Sequence, residues 1–450
     1  MTPQETTKEN INKLIEFRQA IYTHGMIARR DALFDLLDAL VTTGAVSSFA
    51  MLSQSDRFRR KWPSIYAAIE DGRLDSEWMR KDLAQRAPKT GTCVFALDGS
   101  PWPRPRARTL EDRQFVFQAS SDVNGGTVTI GYPYSMLEWI VEGHSSWSLP
   151  IDVRRVESTK TAQEVGAEQI QELVKARSAF LGALDMVVCD GKYGNSGFLR
   201  SVKGLRCGIA ARLRCDRVLR RASPPTPLKK KRGRPKVHGE RFAFKEPVTW
   251  GATDEIIELQ DDRWGQVRLE RWNQLHELKG LDIPYDVVRA SVHLERERPP
   301  AALWIAWLVP QSVPQGLEMN VETIWRAYDH RWPIEPGFHF RKETLGWTMP
   351  MFQSKEAGDR WTEITALAAW MVYLARPLVT DMPYPWQKPQ RDLTPQRVQQ
   401  SICPIFTQIA SPARPPKPRG KANGWPKGKS RTRKPRFPVV KKLPVTIKTA

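Results

Sequence analysis

Cysteine is scarce in this chain and badly spaced for either of its structural uses. Cys93, Cys189, Cys207, Cys215 and Cys403 form no CxxC pair and leave an odd thiol, which argues against a zinc site and against a disulfide framework. They read as reduced, mostly buried side chains. Seven histidines form no HxH or HExxH set, so no metal role falls to them. No run of eighteen apolar residues occurs, and the polar opening MTPQETTKENINKL lacks the basic and then apolar order of a secretory leader. The expectation is a soluble, cytoplasmic protein with no membrane contact. There is no internal repeat.

Acid is missing from two stretches. Residues 411–450 carry thirteen Lys or Arg and no Asp or Glu, and residues 200–241 carry fifteen against only Asp216 and Glu240. The net charge of +21 therefore sits in two blocks on an otherwise slightly acidic body. Clustered cations of this kind point to a polyanionic partner, most often nucleic acid. A solubilising tail accounts for the C-terminal block about as well as DNA binding does, but fits the middle block poorly. The 450 residues suffice for two or three domains with cores of their own.

Apolar residues recur every three or four positions in RRDALFDLLDALVTTGAVSSFAML and WPSIYAAIE, which predicts a separate helical domain over residues 1–90. From Gly91 the texture turns to β: TCVFALD (92–98), QFVFQASS (114–121) and GTVTIGY (126–132) predict a three-stranded meander. A helix capped by Ser158 follows through Phe180, then the strand LDMVVCD (184–190), a short helix SGFLRSVKG and the strand RCGIAARL. The order is β-β-β-α-β-α-β. Residues 216–245, Pro-rich and basic, read as a loop or linker, and the β texture of 246–310 as a sheet-rich insertion. Helix returns near Val321 and continues in RWTEITALAAWMVYLARPLV. The last forty residues should be extended or disordered.

Asp98 and Asp190 each close an apolar strand and each precede glycine. Either one alone is also what a turn after a strand looks like. Together, with a helix between the strands, they can lie at one edge of a parallel pair. Adjacent carboxylates repel unless a cation sits between them, and a hard ion such as Mg²⁺ prefers oxygen ligands. Glu335 could complete that set. It lies in YDHRWPIEPGFHFRKETLGW (328–347), where Tyr328, Arg331, Glu335 and Lys342 fall near one face of a helix, Lys342 displaced from Glu335 by about 20°. Pro333 and Pro336 oppose a continuous helix there and favour one that starts at Pro333 with Glu335 in its first turn. A solvated helix face with an incidental Arg–Glu pair is the bland alternative.

The spacing Tyr328-x2-Arg331-x3-Glu335-x6-Lys342, after two such aspartates, resembles the DDE transposases of bacterial insertion sequences that carry a Y-R-E-K signature. LDGSPWPRPRARTLEDR (97–113) and DGKYGNSGFLRSVKG (190–204) also look like that family's surroundings of its first two acids, and the resemblance covers residues 91–380. It implies an RNase-H-like α/β fold, a mixed sheet with a β-rich insertion after a helical N-terminal domain. It further implies that Asp98, Asp190 and Glu335 hold two Mg²⁺ ions, which Mn²⁺ can replace, and that Tyr328, Arg331 and Lys342 hold DNA phosphates. The implied function is a transposase that cuts its own terminal inverted repeats and joins them to target DNA by hydrolysis and transesterification, as a homodimer on double-stranded DNA in a bacterial nucleoid. The expected organisation is a DNA-binding domain (1–90), a first catalytic part (91–215), linker and insertion (216–318), a second catalytic part (319–385), and a terminal helix with a basic tail (386–450). A nuclease without strand transfer, or an inactive architectural binder of A·T-rich DNA, remains as an alternative.

Arg232-Gly233-Arg234-Pro235 has the core of an AT-hook, whose arginines follow the negative potential of a narrow A·T minor groove; a plain basic linker fits equally well. Most of the seventeen tryptophans read as core. Trp250, Trp264, Trp304 and Trp307, in the insertion, are candidates for stacking on an extruded base.

Overall fold

The structure, a computed structural model, describes residues 3–118, 127–223, 236–293, 302–418, 428, 430 and 433–441. The predicted helical stretch forms α1 (Pro3–Ala20), α2 (Arg30–Thr42), α3 (Phe49–Ser53), α4 (Pro63–Asp71) and α5 (Ser76–Arg86), with a small antiparallel pair β1 (Met26–Ala28) and β2 (Arg73–Leu74). Ser48 and Asp75 start α3 and α5 by accepting from the backbone N–H of Met51 and Trp78. Buried in α2 beside its leucines are Asp35 and Asp38, met by Arg59 and Arg60 and by Arg18 of α1.

The sheet begins with β3 (Thr90–Pro103), β4 (Gln114–Phe117), β5 (Val128–Ile140) and β6 (Ser148–Arg155), then α6 (Ala162–Ala176), β7 (Gly182–Cys189), α7 (Ser196–Val202) and β8 (Gly208–Leu213). β5 lies antiparallel between β3 and β6, β7 runs parallel to β3, and β8 parallel to β7. The order β6-β5-β3-β7-β8, three antiparallel strands and then two parallel ones reached through helices, is the expected RNase-H-like arrangement. Its third long strand is β6, which the predicted meander lacked; β4 is a four-residue piece on the end of β5. Pro133 and Pro150 disguised β5 and β6, since proline inside a run argues against a strand. Both strands are also nearly buried throughout, without polar alternation. The cap of α6 is Thr161, in a reciprocal capping box with Glu164, rather than Ser158, and the helix stops at Ala176. Beyond it the buried Arg177 forks onto Asp185 and donates to the carbonyls of Ala84 and Pro88.

The insertion comprises the hairpin β9 (Val218–Ala222) and β10 (His238–Ala243), then β11 (Glu255–Asp261), β12 (Gly265–Leu275), β13 (Tyr285–His293) and β14 (Leu303–Leu308). The hairpin replaces part of the linker expected over 216–245: Leu219 and Phe242 are fully buried, and Arg220, Arg221 and Arg241 beside them in the two strands mask the alternation, with the Arg221 guanidinium lying over the Phe242 ring. Residues 224–235, with Arg232 and Arg234, lie outside the described residues. β14 pairs antiparallel with β8, so the insertion prolongs the same sheet to ten strands among the described residues. Trp304 stacks on Phe244 at 4.1 Å, and Trp307 packs over Gly208, where an added Cβ would meet its ring at 2.1 Å. Both are core residues, which removes them as candidates for base stacking.

The chain closes with α8 (Val321–Asp329), α9 (Ile334–His339), a π turn (Phe340–Thr344), α10 (Lys355–Ala375), α11 (Pro395–Ser401) and α12 (Cys403–Gln408). The nearly buried α10 is the axis of the core: Phe17 stacks on Trp370 and Phe49 meets Trp361 edge-on at 5.2 Å. The helices of residues 1–90, expected to stand apart, thus share one hydrophobic core with the large sheet. Among the described residues no helix is long and apolar enough to cross a membrane.

The described parts of the tail are extended and anchored. Arg59 and Arg60 donate to the carbonyls of Ala413 and Arg414, while Phe437 and Val440 donate backbone N–H to Arg108 and Arg113, with Val440 bridged parallel to Gln114 at the sheet edge. Removing residues 433–450 is therefore expected to lower stability by about 1–2 kcal/mol, read as a fall of a few degrees in the thermal midpoint. Changing Arg433, Lys434, Arg436 and Lys441 to Gln should leave that midpoint in place, because the anchors are main-chain bonds.

Candidate active site

Parallel pairing of β3 and β7 sets Leu97 opposite Cys189, so the next residues, Asp98 and Asp190, come abreast at one rim. β7 ends at Cys189 and delivers Asp190 just beyond it. β3 does not end at Asp98, as its sequence suggested, but continues through Gly99 to Pro103, held by β5 through the pairs Asp98↔Met136 and Ser100↔Tyr134. Asp98 is thereby fixed within a paired strand. Its Oδ1 accepts from Gly99 N at 2.7 Å, and Asp190 Oδ1 accepts from Lys192 N at 3.0 Å. Burial, and after it the charge of Asp190, hold the Asp98 carboxyl above the usual carboxylate range, with Arg331 opposing both.

The segment 328–347 is not one helix. α8 ends at Asp329, α9 starts after Pro333 as its cap, with Glu335 in the first turn, and Pro336 breaks no bond within the helix because it too lies in the first turn, where an N–H has no carbonyl of the helix to meet. Gly337 is required here: a Cβ would stand 2.1 Å from Ser148 Oγ on β6. That close approach brings α9 onto the sheet. From the turn between the helices, Arg331 Nη1 donates to Asp98 Oδ2 at 2.9 Å and Nη2 to Glu335 Oε1 at 3.3 Å. The guanidinium thus bridges two of the three expected acids. Burial works against its charge, but Tyr328, Asp98 and Glu335 outweigh burial and raise its pKa.

Tyr328 is buried beside this group, and its phenol is pushed up to about 12, by burial first, so it stays protonated. Lys342 is placed differently. The π turn changes the pitch after α9, and the ammonium lies 5.9 Å from the Trp347 ring centre, with no hydrogen bond or ion pair to the three acids among the described residues. Burial, then Arg341, lowers its pKa. Tyr328, Arg331, Glu335, Asp98 and Asp190 come together; Lys342 is instead placed against Trp347. Beneath the turn the buried pair Glu138–Arg341, with Ser148 Oγ donating to Glu138 at 2.5 Å, ties α9 to β5 and β6.

Two exposed cations at the same rim escaped the sequence reading. Lys192 Nζ lies 3.5 Å from where a Cβ on Gly99 would stand, and Arg212 of β8 is close enough to Tyr328 to oppose its shift. Lys192 had a signal, two residues after Asp190; Arg212 had none, since only strand pairing brings it there.

Among the described residues no three His, Cys, Asp or Glu side chains already form a metal cage. The donors nevertheless suit a hard divalent ion. Asp98 and Asp190 present carboxylate oxygens side by side, and Glu335 joins Asp98 through the Arg331 guanidinium.

A sheet rim with two abreast acids, a third on a following helix and cations around them has the groups that could hold divalent ions and phosphate. The chain belongs to the DDE superfamily endonucleases: that family's model matches residues 24–276, more than half of its length. Such endonucleases generally use divalent metal ions. Among solved structures, a piggyBac transposase in a synaptic complex with hairpin DNA is similar at 11% identity, with 90% of this chain and 80% of that one covered and a TM-score of 0.36. No curated protein matches.

Replacing Asp190 by Asn should bring the Asp98 carboxyl down toward the usual range, because the second-largest cause of its rise is removed. Carboxyl carbon chemical shifts followed through a pH titration read this directly. A midpoint that does not move would leave burial as the whole cause.

Proposed function

We propose that this chain is a DNA transposase of the insertion-sequence group with the Y-R-E-K spacing. It cleaves the terminal inverted repeats of its own element and joins them to target DNA. The observation that carries the reading is the pair Asp98 and Asp190 abreast, with Arg331 bridging Asp98 to Glu335. Asp98, Asp190 and Glu335 would hold two Mg²⁺ ions, or Mn²⁺ in their place. When bound, the ions activate a water or DNA 3′-hydroxyl for in-line attack and stabilise the leaving oxygen.

The chain's own groups do the rest. Arg331 is the counter-cation of the acids, and an arriving phosphate offers its guanidinium an alternative bidentate partner. Tyr328, protonated throughout the physiological range, donates to a phosphate oxygen. Lys192 and Arg212 meet the backbone at the rim, and Lys342 meets it from within the π turn. The helical region 1–90 and the basic blocks add contacts: Arg232 and Arg234 as an AT-hook in an A·T minor groove, and the tail by releasing counterions. Cutting two ends together favours a homodimer, and nucleoid association follows from the substrate.

Asp98→Asn, Asp190→Asn and Glu335→Gln are each expected to lower Mg²⁺-dependent cleavage of a terminal-repeat duplex by at least a hundredfold while leaving its binding within about threefold, since an amide oxygen replaces a metal-binding carboxylate poorly. Lys342→Ala should weaken binding as well as rate. Cleavage near the wild-type rate by all three folded carboxylate variants would sink the proposal. Joined products from a cut end and a target plasmid separate a transposase from a nuclease that only cleaves.

A further inference from the structure

The tip of the β11–β12 hairpin belongs to the insertion, yet it is fastened beside the active site. Asp261 Oδ1 accepts from the backbone N–H of Arg263 and Trp264, both at 2.9 Å, which fixes the turn. Trp264 Nε1 then donates to Asp329 Oδ1 at 2.7 Å, and the other oxygen of Asp329 meets His144 Nε2 at 3.1 Å, from the β5–β6 turn. Three separate parts of the chain are thus locked together two residues before Arg331. All of this holds one exposed cation in place: Arg263 has its guanidinium 4.9 Å from the Trp264 ring centre and 5.8 Å from that of Trp332. Among the described residues Arg263 forms no ion pair; its contact with His144 Nδ1, at 3.3 Å, is to a ring nitrogen. Trp332 is 39% exposed, unusual for so large an apolar side chain.

Arg331 and Trp332 are neighbours in the chain with opposite fates. One turns inward onto Asp98, and the other stays at the surface against the insertion tip. Their Cα atoms are about 3.8 Å apart, and a DNA strand advances about 3.4 Å along the axis per nucleotide. A strand whose phosphodiester lies at the acids therefore reaches Trp332 and Arg263 within about one to three nucleotides.

We propose that Arg263 and Trp332 form a contact surface for the DNA backbone immediately beside the cleaved phosphodiester. Arg263 takes a phosphate, and the Trp332 ring packs on the adjoining sugar. The stacked guanidinium is pre-organised, so little side-chain freedom is lost when the phosphate arrives. Trp264 and Asp329 act as positioning residues that hold the tip. The exposed Asp262 beside Arg263 partly offsets its charge. This inference rests on the transposase reading.

The test uses the full-length protein, without divalent metal, on a fluorescent duplex carrying the element's terminal inverted repeat and its flanking base pairs. Arg263→Ala is expected to weaken binding threefold to tenfold and to reduce the slope of log K against log salt by about 0.9. Asp262→Asn should tighten the same complex, a gain that misfolding cannot imitate. Trp332→Ala should weaken it and Trp332→Phe restore it. Hydroxyl-radical footprints should lose protection in Arg263→Ala only at one to three nucleotides next to the cleavage position. Wild-type affinity and slope in both Arg263→Ala and Asp262→Asn, or protection lost elsewhere, would overturn the inference and leave the transposase reading intact. A wild-type protein that binds the repeat no better than unrelated duplex would overturn that reading, and this inference with it.

Discussion

Two carboxylates on adjacent parallel strands repel each other, and burial strengthens the repulsion by removing the water that screens it. Asp98 and Asp190 stand in that relation because β3 and β7 pair in parallel one residue before each. The rim persists because a cation is held against it. Arg331 supplies that charge, and much of the surrounding structure fixes where Arg331 is: the end of α8, the proline-bounded turn, and α9 pressed onto β6 at Gly337. Below them Glu138 and Arg341 form an ion pair that is almost fully buried. Losing one partner of such a pair costs about 3–5 kcal/mol, so the pair is a strong constraint on where α9 sits.

The same geometry gives the site its chemistry. A guanidinium shared between Asp98 and Glu335 leaves the acids neutralised but not closed off, since Glu335 remains more than half exposed. On the proposed function, phosphate and a divalent ion would be complementary replacements for that contact: the first would take the arginine and the second the carboxylates. The two ligands should therefore favour one another, and by linkage the preference is mutual.

Sheet continuity connects the distant parts. Pairing of β14 with β8 makes the insertion an outgrowth of the catalytic sheet, and its hairpin tip is carried back to α8, where Trp264 binds Asp329. On the opposite side, α10 joins the N-terminal helices to the sheet through Trp361 and Trp370. Both parts are thus packed onto the sheet that carries the rim.

Local chemistry left clear marks in the chain. Apolar runs ending near Asp98 and Asp190, the spacing of Tyr328, Arg331 and Glu335, and the start of a helix at Pro333 were all readable, because strand burial, proline geometry and side-chain charge act over a few residues. What could not be read was whatever depends on partners far along the chain. β6 and the true length of β5 were hidden by prolines that the paired strands tolerate, and the β9–β10 hairpin by arginines that cover its buried face. The place of Lys342 depends on a π turn that no spacing rule foresees. Arg212 and Arg263 reach the site only through strand pairing and a hairpin docked from the insertion. Residue types and short spacings supplied the ingredients of the site. Register, the direction of pairing and a shared core chose which of them meet, since those are set by contacts between segments whose separation in sequence carries no local signal.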